Sequence, residues 1–126
     1  MHALDRMKKV HIWIGTTLLP EDDYYKYFDQ DNGICPFCLD IGIEEYDEDF
    51  MVIIPLFEKE IDIKEILTEV VIDDNEIESV INECKNKNIN KANAVFYITD
   101  ASVVINEPYL DNYNGLKYIG LYNTGN

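Results

Sequence analysis

Between Glu21 and Asp49 the chain carries eleven carboxylates and one base, Lys26, while Tyr24, Tyr25, Tyr27, Phe28, Phe37, Tyr46 and Phe50 run through and just past the same stretch. A solvated acidic tail would lack aromatic residues, so this stretch cannot be one. It reads as folded surface that presents carboxylates beside rings, densest from Asp40 to Phe50. Such a surface is what a binder of a basic protein needs.

The charge of the whole chain points the same way. It has 25 acidic and 10 basic residues in 126, a formal net charge of −15. That balance argues against DNA, RNA and anionic membranes, because a phosphate binder needs lysine and arginine gathered on one face. It favours a cationic protein partner. With 47% hydrophobic residues the chain can bury a core, and its length suits one domain spanning 1–126. No apolar run approaches the roughly 20 residues of a membrane span, and Met1 to Lys9 lacks the apolar centre of a signal peptide. Three cysteines, an odd and low count, fit reduced thiols, so the expected location is the cytoplasm.

Hydropathy patterning gives the expected elements. Lys8 to Thr16 alternates as a strand, Val10, Ile12 and Ile14 on one side and His11 and Trp13 on the other. Pro20 suits the first turn of a helix and Glu21, Asp22 and Asp23 its positive end, with Tyr24, Tyr27 and Phe28 sharing a face. Asp31-Asn-Gly33 ends that helix, and residues 34–46 fit either a structured loop or a short helix. Phe50 to Ile54, apolar throughout and closed by Pro55, reads as a strand buried on both faces and central in its sheet. Asp62 with Glu65, and Asp73 with Glu76, resemble capping boxes. Each precedes a helical stripe, Ile63, Ile66, Leu67 and Val70 in the first and Ile77, Val80, Ile81 and Cys84 in the second. Strands are expected at Ala94 to Thr99, Ser102 to Ile105 and Leu116 to Tyr122. The sum is an α+β fold: a single, largely antiparallel or mixed sheet of about 4–5 strands with about three helices packed on one face. Edge strands near the C-terminus could pair two copies into a homodimer.

Few residues carry chemistry. Cys35-Pro-Phe-Cys38 has the spacing of a redox pair or half a zinc site. However, Asp29, Asp31, Asp40, Glu44 and Glu45 surround it in sequence and disfavour a thiolate, so two small apolar side chains packing a loop is the preferred reading. The competing functional reading is a small metal- or redox-linked protein using Cys35, Cys38 and Cys84, with His2 and His11 as further ligand candidates. Asp29 to Asp40 lacks the glycine of a calcium loop, Ile34 standing at its sixth position. Asp47 and Asp49 share a face only if a strand starts at or before 47. No nucleophile elbow, phosphate loop, zinc-protease helix or dinucleotide fingerprint occurs, so no enzyme, metal or cofactor is expected.

Val10-His-Ile-Trp-Ile-Gly15, Tyr27-Phe28, Phe37, Asp40, Gly42-Ile43 and Tyr46-Asp-Glu-Asp-Phe50 together resemble the immunity protein 22 family of bacterial polymorphic-toxin systems. Asn93-Ala-Val-Phe-Tyr-Ile98 and Leu116-Lys-Tyr-Ile-Gly-Leu-Tyr122 extend the likeness over nearly the whole chain. Cys35 and Cys38 lie outside the pattern, and Met51-Val52 stand where it carries an acid. The resemblance implies a small cytosolic protein that binds and blocks a cognate toxin, many such toxins being nucleases with basic surfaces. The residues expected to meet the toxin are Asp22, Asp23, Tyr24 and Tyr25 from the first helix, Glu44, Glu45, Tyr46, Asp47, Glu48 and Asp49 from the acidic segment, and Trp13 as a desolvated anchor.

Overall fold

The structure, a computed structural model, describes residues 3–125. His2, one of the ligand candidates, lies outside them. A short helix α1 (Ala3–Arg6) leads into β1 (Lys9–Gly15), followed by α2 (Glu21–Lys26), α3 (Pro36–Ile41) and β2 (Met51–Ile53). A two-residue strand β3 (Ile61–Asp62) then runs into α4 (Ile63–Ile66), α5 (Ile77–Asn86), β4 (Lys91–Ala92), β5 (Ala94–Ile98) and β6 (Leu116–Asn123). The main sheet has the order β2-β5-β1-β6, every neighbouring pair antiparallel, and β3 pairs with β4 in a small second sheet. This is the expected α+β class with a largely antiparallel sheet. No helix among the described residues is long and apolar enough to cross a membrane.

Helices cover both faces of the sheet, not one. The alternation along β1 sends Val10, Ile12 and Ile14 to an aliphatic layer with Ile63, Ile66 and Leu67 from the α4 region and Val80 and Cys84 from α5. The other side of β1, where Trp13 points, is just as apolar, so it too must leave water. It is covered by an aromatic layer in which Phe28 follows α2 and Phe37 lies in α3. Trp13 stacks on Phe96 at 4.9 Å, Phe28 meets Phe96 edge-on at 4.8 Å, and Phe37 closes on Trp13 edge-on at 5.3 Å. Such ring pairs contribute about 0.5–1.5 kcal/mol each beyond the area they bury. Gly15 lets the start of β6 approach β1 closely within the sheet: a Cβ there would stand 2.7 Å from the Gly115 carbonyl oxygen and the Leu116 Cα.

Three other expectations change. Phe50 to Ile54 is not a central strand. β2 occupies the sheet edge and its three residues are half-buried, which is where the following Pro55 is tolerated. Ser102 to Ile105 is not a strand. Asp100 Oδ1 accepts from both the backbone N–H and the hydroxyl of Ser102, which turns the chain, and the Val103 carbonyl is used by His11. The two capping boxes do not form. Asp62 makes no side-chain cap bond; Asp73 does cap, accepting from the Asn75 N–H at 3.0 Å, but Glu76 does not close the box and instead accepts from the Asn123 N–H at 2.8 Å, holding the end of β6.

His11 illustrates the cost of a polar group in this interior. Its Nε2 lies 2.8 Å from the Val103 carbonyl, which can only accept, so Nε2 carries the proton and Nδ1 accepts from the Tyr118 hydroxyl at 2.7 Å. Burial pushes the imidazole below its ordinary value of 6.5, although the Val103 bond and the Asp100 charge pull the other way. The unfolded chain therefore takes up a proton first as pH falls below 6.5. This contribution to stability is full above that pH and shrinks on acidification. Denaturant titrations should give a smaller unfolding free energy at pH 5.5 than at 7.5, with a shallower difference in His11→Gln. In the aromatic layer, Phe96→Ala should cost about 3–5 kcal/mol, followed by the shift of Trp13 emission on unfolding.

Candidate functional site

Residues 44–50 contain no strand. Asp47 Oδ1 accepts from the Asp49 N–H at 3.0 Å, and the Phe50 N–H donates to the Asp47 carbonyl at 3.0 Å, so the acidic run is a tight turn before β2. The condition for Asp47 and Asp49 to share a strand face is not met. The turn is fixed from two directions. Gln30 acts as a side-chain strand partner: its Oε1 accepts from the Tyr46 N–H at 3.0 Å and its Nε2 donates to the Tyr46 carbonyl at 3.2 Å. Arg6 clamps Asp100 with two bonds, Nη2 to Oδ2 at 2.6 Å and Nε to Oδ1 at 3.2 Å, and its Nη2 lies 3.6 Å from Asp47. The guanidinium also sits 4.4 Å from the centre of the Phe50 ring. Burial alone would raise Asp100, but the bonds from Arg6 and Ser102 outweigh it and hold this carboxyl at about 2.

These contacts surround an open cleft of about 940 Å³. Asp31, Glu45, Asp47, Glu48 and Asp49 line it with exposed carboxylates, and Arg6, the one lining cation among the described residues, is already engaged by Asp100 and Asp47. Glu44 and Glu45 continue the acidic lining into an adjoining hollow beside Gln30 and Ile34. The arrangement presents unneutralised negative charge on a turn held by named bonds.

The expected residues divide in two. Glu44, Glu45, Asp47, Glu48 and Asp49 come together around this cleft and its neighbour. Asp22 and Asp23 are exposed on α2 but do not line it, and Asp23 pairs with Lys26 at 3.0 Å. The aromatic residues among them are mostly buried. Trp13 and Tyr24 are fully buried in the ring layer, and among the described residues neither the Trp13 N–H nor the Tyr24 hydroxyl has a partner. Tyr46 is buried and donates to the Phe28 carbonyl at 2.5 Å. Only Tyr25 is partly accessible. Tyrosines spaced along a helix face satisfied the core before they could serve a partner. Arg6, Gln30 and Asp100 are the organising residues that pattern reading missed. Arg6 had a signal, being the only arginine in the chain.

The three-cysteine reading does not survive. Cys84 lies in the aliphatic layer and Cys35 and Cys38 in the aromatic layer, with the sheet between them. Cys35 and Cys38 do not pack a loop but begin a helix: Cys35 caps α3, its sulfur accepts from the Cys38 N–H, and the two sulfurs are 3.2 Å apart. Burial, with Cys35 beside it, pushes the Cys38 thiol up. Among the described residues, no three His, Cys, Asp or Glu side chains gather as a metal site.

A family model described as Immunity protein 22 matches residues 10–124. No curated protein and no solved structure gives a match.

The Gln30 clamp makes the turn testable by itself. Gln30→Ala should release both Tyr46 backbone groups, speed hydrogen exchange at the Tyr46 amide, and cost about 1–2 kcal/mol in denaturant unfolding.

Proposed function

Because the chain belongs to the immunity protein 22 family, we propose that it neutralises a cognate toxin by docking its acidic cleft on a basic surface of that toxin. The supporting observation is the distribution of charge. Residues 21–49 hold eleven carboxylates against one lysine, and the remaining 97 residues hold fourteen against nine bases. Five of the exposed acids in that stretch face one cleft. Charges spread for solubility alone would not concentrate this way.

A nuclease suits this surface best among toxin classes. Its substrate is a polyanion, so its site is cationic, and a rigid set of carboxylates can occupy the ground that phosphates otherwise take. Binding follows from complementary potentials and needs no catalysis. Electrostatic steering can lift association rates to about 10⁸–10⁹ M⁻¹s⁻¹ at low salt, which suits a protein that must capture its toxin before damage begins. The proposed place of action is the cytoplasm, as a stoichiometric inhibitor without cofactor.

Asp47 is a poor site for the test, because its carboxylate also holds the turn and faces Arg6. Glu48 and Asp49 are exposed, and among the described residues their side chains make no internal bond. Glu48→Lys combined with Asp49→Lys should therefore keep the melting temperature within a few degrees. It should slow association with the toxin at least about tenfold at low salt and flatten the salt dependence, as read by stopped-flow kinetics. Unchanged rates from 50 to 500 mM salt, in a variant that still folds, would discard this cleft as the contact.

A further inference from the structure

The two edges of the main sheet are finished differently. On β6, the Leu116 N–H and C=O both pair with Tyr113, while at the far end Asn123 donates to Glu76 and accepts from the Asp73 N–H. That edge is closed at both ends. On β2, register decides which groups face outward. Phe50 accepts from the Thr99 N–H and Ile54 donates to the Val95 carbonyl, so residues 50, 52 and 54 point at β5. The N–H and C=O of Met51 and Ile53 point away from the sheet. Among the described residues nothing bonds to these four groups.

The surroundings of this open edge select its occupant. Asp47, Glu48 and Asp49 precede it on the turn, while Glu21 accepts from the Leu56 N–H at 3.1 Å just beyond it, with Glu58 following. Lys59 is the one base near the far end in sequence, and Arg6 is engaged by Asp100 and Asp47. A second copy of this chain would bring a net charge of −15 and a like set of acids against these, so pairing with itself is opposed. An extended cationic segment meets no such opposition.

We propose that the toxin adds a strand to β2. The inference rests on the reading of this protein as a toxin binder and adds the mode of contact. Two residues of the toxin strand, i and i+2, would exchange four backbone hydrogen bonds with Met51 and Ile53. The strand's apolar side chains would lie against the half-exposed flanks of Met51, Val52 and Ile53. At about 3.4 Å per residue, the positions on either side of i and i+2 reach the acids at 47–49 and at 21 and 58, where lysine or arginine fits. The partner motif is thus a short, β-branched or apolar strand with basic ends. It places toxin backbone directly beside the acidic cleft.

The test uses the purified C-terminal domain of the polypeptide encoded directly upstream as the probe, with hydrogen exchange read on the intact protein. In the complex the Met51 and Ile53 amides should gain at least tenfold protection, and the free protein should sediment as a monomer with both amides exchanging fast. Ile53→Pro removes one outward donor and no bond to β5. It should weaken binding at least tenfold while Trp13 emission stays native. A stable complex with both amides unprotected overturns strand addition and leaves the acidic-cleft reading standing. A free dimer already protected at these amides makes a second copy the occupant and overturns it too. Failure to form any complex overturns both readings.

Discussion

Trp13 and Phe96 stack on the side of the sheet away from α4 and α5, and neither ring can be left in water. Because the central strands are apolar on both sides, the chain must supply two covers. The segment that covers the Trp13 side is the acidic one. Its Tyr24, Tyr27, Phe28, Phe37 and Tyr46 turn inward to complete the ring layer, and its carboxylates are left outside. The negative surface is in this sense the back of the aromatic core. A core of interlocking rings is stiff, since each ring is fixed by several edge-on or stacked neighbours, so the acids are carried on a firm base and not on a loose loop.

Where helices and strands end, side-chain amides and one guanidinium join distant parts. Gln30 pairs with both backbone groups of Tyr46, and Asn93 does the same for Thr17, with bonds of 3.0 and 2.9 Å. Arg6 joins the N-terminal helix to turns more than forty and ninety residues away. These few groups replace the regular ladder bonds that irregular segments lack, which is why loops 42–50 and 100–115 hold their course over the sheet.

Much of this was legible in the residues. The period-two alternation of β1 and the stripes at 63–70 and 77–84 marked the aliphatic layer because burial there follows one simple period. The Asp62 cap misled and the Asp73 box held by half: Asp73 accepts from the Asn75 N–H as a cap should, but a capping pattern states only what a helix start can do locally, and Glu76 found a better use at Asn123. β2 misled as well: a run of apolar β-branched residues has the same composition at an edge as at the centre, and only Pro55 hinted at the edge. The acidic cleft was visible as charge, but its walls were not. Nothing in the local sequence distinguishes Gln30 from a solvated glutamine, and the pairing of Arg6 with Asp100 spans 94 positions. A ring suits a core and a partner equally well until the opposite wall is known, and Trp13, Tyr24 and Tyr46 are buried in the core.

The placement of the three thiols has a consequence of its own. Cys84 reports on one layer, and Cys35 with Cys38 on the other, while all three are shielded in the native molecule. An alkylating reagent can reach each only when its layer opens. The native chain therefore carries two built-in chemical clocks, and the ratio of their labelling rates measures whether the two sides of the sheet loosen together or one before the other.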